Sequence, residues 1–140
     1  MPETERVERP DEEWRKILTP EQFAVLRQAA TERPWSGRLL TTNGRGTYAC
    51  AGCGAELFES DTKFESGCGW PSFFRTKRPD AIEYIEDRTH GMLRVETRCG
   101  TCGGHLGHVF DDGPPPTGRR YCMNSIALKF VDEAGAETVG

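Results

Sequence analysis

Two short stretches, Cys50-Ala51-Gly52-Cys53 and Cys99-Gly100-Thr101-Cys102, constrain this chain more than anything else in it. Each sets two thiols two residues apart, with Gly54 after the first pair and Gly103-Gly104 after the second, where glycine permits a tight turn. Two such knuckles can present four thiolates to one tetrahedral ion, and zinc takes a set of four cysteines at about 2.3 Å per bond in closed structural sites. The stretch between the pairs is longer than the roughly 15 to 20 residues of a simple zinc ribbon, so one ion would tie together two hairpins distant in sequence. An ion with four protein ligands keeps no open position for water or substrate; the expected Zn2+ is therefore structural, and chemistry must be sought elsewhere. The competing readings of the same pairs are a thioredoxin-like redox dithiol or two disulfides.

The N-terminal Met1-Pro2-Glu3-Thr4-Glu5-Arg6 is too polar for a signal-peptide core, and no run approaches the roughly 18 apolar residues of a membrane span. A cytoplasmic location is expected, where thiols serve as metal ligands or catalysts more often than as structural disulfides. At 140 residues the chain should hold one domain, taken as residues 11–132 between a flexible N-terminal tail (1–10) and a flexible C-terminal tail (133–140), and acting as a monomer. Eighteen basic against 22 acidic residues, without a long like-charge run, argue against electrostatic capture of nucleic acid or an anionic membrane.

Sixteen Gly and nine Pro require many turns. Asp11 as a cap before Trp14, Ile17 and Leu18, then Thr19-Pro20-Glu21-Gln22 as a capping box with Pro at N1, predict two short helices near the N-terminus. Beyond Arg38 the pattern becomes β: a hairpin of Leu39–Thr42 and Thr47-Tyr48 across Asn43-Gly44, then runs at Ala81–Ile85, Met92–Thr97, Leu106–Phe110 and Ser125–Phe130. Ile126, Leu128 and Phe130 alternate with polar or small residues, which predicts a mainly β domain of antiparallel sheets with one buried face. Asp112-Gly113-Pro114-Pro115-Pro116-Thr117-Gly118 must be a stiff surface loop.

Four ligands subtracted from six cysteines leave Cys68 and Cys122. A spare Cys can be a small buried hydrophobe. Cys68, however, lies in Gly67-Cys68-Gly69-Trp70-Pro71, a deformable loop suited to a movable thiol. Cys122 sits at or near a strand with Arg120 and Asn124 two residues away on either side, so all three side chains can share one face. An arginine beside a thiol favours the thiolate, and an amide can hold an oxygen atom. His105 and His108 titrate near neutrality and are readable as proton donors, as solvated structural residues or as metal ligands. Trp70 is either core or an apolar wall for a small alkyl group.

Gly67-Cys68-Gly69-Trp70-Pro71-Ser72-Phe73, Gly104-His105-Leu106-Gly107-His108-Val109-Phe110 and Arg120-Tyr121-Cys122-Met123-Asn124-Ser125 together resemble the type B peptide methionine-R-sulfoxide reductases. The resemblance runs from Thr19-Pro20-Glu21-Gln22-Phe23 through Phe130 and includes Gly37-Arg38-Leu39-Leu40. It implies two facing antiparallel sheets with short N-terminal helices. It also implies that Cys122 attacks the sulfoxide sulfur and becomes a sulfenic acid, that Cys68 resolves it as a disulfide, and that thioredoxin reduces the disulfide. By the same resemblance Trp70 receives the substrate methyl group, His105, His108 and Asn124 bind and protonate the sulfoxide oxygen, and Arg120 lies near the nucleophile. Cys50, Cys53, Cys99 and Cys102 match the zinc-binding form; some members lack these four, or carry Ser or Thr at the resolving position. The implied substrate is methionine-R-sulfoxide in oxidised proteins or peptides and as the free amino acid.

Two other classes compete. A zinc-ribbon interaction module, or a chaperone of nucleotide-free GTPases sharing the fold, would use the four-cysteine site alone and leave Cys68 and Cys122 as packing residues. A disulfide oxidoreductase would use one Cys-x-x-Cys as its redox pair.

Overall fold

The computed structural model describes residues 9–40, 42, 44–88, 91 and 93–140. The capping box forms as read: the Thr19 hydroxyl accepts from the Gln22 amide at 3.2 Å, and the Gln22 side chain accepts from the Thr19 N–H at 2.9 Å. It opens α2 (Pro20–Gln28), preceded by α1 (Asp11–Ile17). Asp11 is not the cap but the first helical residue, with Pro10 in the cap position. Trp14, Phe23, Val25 and Leu26 are buried beneath the pair, whereas Ile17 faces solvent.

Among the described residues the strands are β1 (Gly46–Cys50), β2 (Glu56–Glu59), β3 (Lys63–Phe64), β4 (Ser72–Phe73), β5 (Ile82–Asp87), β6 (Arg94–Cys99), β7 (His105–Phe110), β8 (Arg120–Met123), β9 (Leu128–Asp132) and β10 (Glu137–Val139). They form two antiparallel sheets, one ordered β10-β9-β1-β2 and the other β3-β4-β8-β7-β6-β5. Aromatic side chains from both sheets meet between them. Phe58 of β2 stacks on Phe73 of β4 with centroids 4.3 Å apart, and Tyr48 of β1 meets the same ring edge-on at 4.9 Å. All three are fully buried, so each contributes roughly 1.5–3 kcal/mol of apolar burial.

Three local expectations differ from the structure. Arg38–Leu40 is a 3-10 turn, not a strand, and β1 pairs instead with β2 and β9; Thr41, Asn43 and Met92 lie outside the described residues. Ser125–Ala127 is also a 3-10 turn, because the Ser125 hydroxyl accepts the Leu39 N–H at 2.9 Å and so docks this segment on the other turn before β9 begins. The C-terminal segment, expected to fray, adds β10 to the edge of β9.

Candidate active site and metal centre

The two knuckles are near copies of each other. Gly54 N–H donates to the Cys50 carbonyl at 2.9 Å and Gly103 N–H to that of Cys99 at 2.8 Å, and both glycines hold the left-handed backbone that closes such a turn. The four sulfurs lie within 4.8 Å of one another, with Cys50 to Cys102 at 3.7 Å and Cys53 to Cys99 at 3.6 Å. A tetrahedral ion with sulfur bonds of about 2.3 Å needs sulfur separations of roughly 3.8 Å, so the donor set fits one. Helix α2 braces the centre: Arg27 donates to the Cys102 carbonyl at 2.9 Å while its guanidinium covers the Trp14 ring.

The remaining two cysteines meet elsewhere. Cys122 lies on β8 opposite His108 of β7, and Cys68 lies in the loop between β3 and β4, with the two sulfurs 3.3 Å apart. They line a cleft of about 280 Å3 together with Trp70, His108, Arg120 and Asn124. Gly107 permits this strand spacing, since a Cβ there would sit 2.0 Å from the Cys122 carbonyl oxygen. His108 Nε2 is 2.8 Å from Asp87 Oδ2, which also accepts from Arg94 at 3.3 Å. Asn124 is buried; its Oδ1 accepts the Glu32 N–H and its Nδ2 donates to the Leu106 carbonyl, each at 2.9 Å. The Trp70 indole N–H donates to the Glu32 carbonyl at 3.0 Å.

Two sequence-predicted residues stand differently from expectation. His105 is buried and does not line the cleft; its Nδ1 is 2.8 Å from Glu96 Oε2, and burial pulls its pKa down. Arg120 does line the cleft, but its guanidinium is committed to Asp112 at 2.8 and 3.2 Å and covers the Phe110 ring. Its charge favours a Cys122 thiolate, yet burial of Cys122, together with neighbouring Cys68, pushes the Cys122 thiol well up. The lower-titrating thiol is Cys68. Burial raises it, but the Ser66 and Ser72 hydroxyls, 3.0 and 3.4 Å away, together with the Trp70 main chain and Cys122, outweigh that and bring it down to about 7.

The chain matches the SelR domain family over residues 18–132. A protein of Leifsonia xyli subsp. xyli named peptide methionine sulfoxide reductase MsrB is 61% identical over 129 residues, covering 91% of this chain and 93% of that protein. Proteins of the same name from Methanosarcina barkeri and Leptospira interrogans are 58% and 55% identical, each over 91% of this chain and over 89% and 97% of their own. The chain belongs to the MsrB family. Beyond the family, the C-terminal domain of Dicer-related helicase 3 from Caenorhabditis elegans shares the fold alone, with a TM-score of 0.56 and 17% identity over 74% of this chain and 64% of that one.

Within the MsrB fold, sequence reasoning singled out Cys68, Cys122, Trp70, His108, Asn124 and Arg120, and all six reach the cleft. It missed Asp87, Arg94, Glu32 and the Ser66/Ser72 pair. Asp87 ends β5 among other charged residues, and nothing in its neighbourhood marks it as the partner of a histidine on β7. Ser66 and Ser72 were readable only as members of the Cys68 motif.

Proposed function

We propose that this MsrB protein reduces the R epimer of methionine sulfoxide, in proteins and as the free amino acid, with Cys122 as nucleophile and Cys68 as resolving thiol. The reading is carried by two sulfurs 3.3 Å apart in a cleft lined by Trp70, His108 and Asn124. The names of its relatives support it. A methyl sulfoxide presents an apolar methyl and a strongly accepting oxygen on one sulfur. The Trp70 ring suits the first, and the Asn124 amide and His108 suit the second.

In the first step Cys122 Sγ gives an electron pair to the sulfoxide sulfur while His108, held by the Asp87 carboxylate, passes a proton to the oxygen. The Cys68 thiolate, 3.3 Å away, takes the Cys122 proton, so the nucleophile need not be the more acidic thiol. The protonated oxygen then leaves the sulfoxide sulfur for Cys122, which becomes a sulfenic acid as methionine departs; the sulfoxide sulfur is reduced by two electrons and Cys122 oxidised by two. Cys68 attacks the sulfenic sulfur, its proton joins the departing hydroxyl as water, and a disulfide forms. A dithiol, thioredoxin, then returns both cysteines to thiols by exchange. Cys50, Cys53, Cys99 and Cys102 hold one structural Zn2+. Such a cycle suits the reducing cytoplasm.

Turnover of the separate R and S epimers of a blocked methionine sulfoxide, driven by dithiothreitol, tests the reading. Loss of the R epimer alone, abolished by Cys122→Ser, is expected; undiminished turnover by Cys122→Ser would refute the nucleophile. Cys68→Ser should complete one stoichiometric turnover and then stall with thioredoxin, and unimpaired cycling would refute its role.

A further inference from the structure

Glu32 is a buried carboxylate, 7% exposed, in the segment between α2 and the Arg38–Leu40 turn, and no step above uses it. A carboxylate in that position is costly unless hydrogen-bonded. Its Oε1 accepts the Ile126 N–H at 2.9 Å, in the turn that directly follows Asn124. The same residue's main chain reaches two walls of the cleft: its N–H donates to Asn124 Oδ1, and its carbonyl accepts the Trp70 indole N–H.

We infer that Glu32 is a positioning residue that presets the cleft for a sulfoxide, its side chain anchoring the main-chain groups that orient Asn124 and Trp70; the inference rests on the reductase reading above. The consequence for Asn124 is chemical. Its Oδ1 accepts from Glu32 and one Nδ2 proton goes to Leu106, which fixes the amide's orientation and leaves its second Nδ2 proton as a donor for a sulfoxide oxygen. Because the Trp70 indole N–H is held by Glu32, the ring meets the cleft through its carbon face. Thr31, adjacent to Glu32, is itself part of the cleft wall, so a shift of this segment moves the wall with it.

Reach and charge separate cleanly in two conservative variants. Glu32→Asp keeps the charge but draws the oxygen back by a bond of about 1.5 Å, beyond hydrogen-bond range of Ile126. Glu32→Gln keeps the reach and the accepting oxygen but removes the charge. With blocked methionine-R-sulfoxide and dithiothreitol, Glu32→Asp is expected to raise KM about tenfold with kcat within about threefold, the loss of one charge-assisted hydrogen bond. Its Trp70 indole N–H resonance, assigned by its absence in Trp70→Phe, should move in the 1H–15N spectrum. Glu32→Gln is expected to restore KM to within about twofold of the parent and to leave that resonance in place. Equal damage in both variants, or a parental KM and unmoved resonance in Glu32→Asp, would overturn the inference. Should Glu32→Asp fail to fold, a displaced indole resonance in Glu32→Gln would overturn it alone. A parent protein that turned over neither epimer would sink the reductase reading, while the two resonances would still decide whether Glu32 holds Trp70.

Discussion

A thiol buried beside another thiol ordinarily loses its proton late, because desolvation and a neighbouring negative charge both oppose ionisation. Cys122 behaves in this way; Cys68 departs from it because two serine hydroxyls can donate to its sulfur. Site-resolved alkylation of Cys68 with iodoacetamide is therefore expected to rise with a midpoint near pH 7. Ser66→Ala should move that midpoint up by about one unit, the worth of one hydrogen bond to a charged group. A midpoint near 9.0, the thiol's ordinary value, that ignores the substitution would refute this account. The sign for stability follows. The folded Cys68 titrates below the unfolded thiol, so its contribution is fully present above about pH 9 and is lost as pH falls through about 7. Cys68→Ser should flatten that rise between pH 7 and 9 in denaturant-unfolding measurements. The motif around Cys68 was legible in the sequence; that its serines turn towards the sulfur was not, since the loop's path depends on β3 and β4.

At the scale of elements, the approach of β7 to β8 places His108 opposite Cys122, and Gly107 is the residue that allows it. Gly107→Ala must push the strands apart by the length of a severe contact with the Cys122 carbonyl. A cost of about 1–3 kcal/mol in urea unfolding is expected, in line with overpacking, together with a fall in kcat/KM from misplacing His108, the proposed proton donor. Parental stability and activity would show the strand spacing to be unimportant. Most of these elements could be read from local pattern: the Thr19 capping box and the runs that became β5, β6 and β7. The pattern failed at Leu39-Leu40 and at Ser125–Ala127, where two short segments satisfy each other through the Leu39 N–H and the Ser125 hydroxyl instead of joining a ladder. Such mutual docking spans most of the chain and leaves no periodic trace in either segment.

Two features among the described residues hold the two sheets together. Phe58 and Tyr48 packing on Phe73 fill the space between the sheets, and the cysteine centre links their ends. The knuckle of Cys50 and Cys53 closes the β1–β2 hairpin of one sheet, and that of Cys99 and Cys102 closes the β6–β7 hairpin of the other. A metal ion held there would staple sheet to sheet. Purified protein should contain about one zinc per chain. Stripping it with a chelator under reducing conditions should lower Tm by on the order of 10 °C, reversibly on adding zinc, because metal-binding free energy here is folding free energy. A metal-free protein with unchanged Tm would refute the staple. Phe73→Ala, which removes the ring shared by both sheets, should cost about 3–5 kcal/mol by denaturant unfolding with the metal still bound.

The sequence by itself determined the features that neighbours in the chain decide: the two knuckles, the capped helix, the antiparallel β pattern, and the Gly-Cys-Gly-Trp and Arg-Tyr-Cys-Met-Asn segments that carry the site. Their determinants are spacing, cap chemistry and side-chain alternation, all written within a few residues. Only the tertiary structure decided which groups face one another. It gave His108 its Asp87, turned His105 inward to Glu96, made Glu32 the common partner of Trp70 and Asn124, and brought the sulfurs of Cys68 and Cys122, a pair the resemblance had implied, to 3.3 Å. Those pairings are contacts between different elements, chosen by sheet register and burial, and no pattern within one element encodes them.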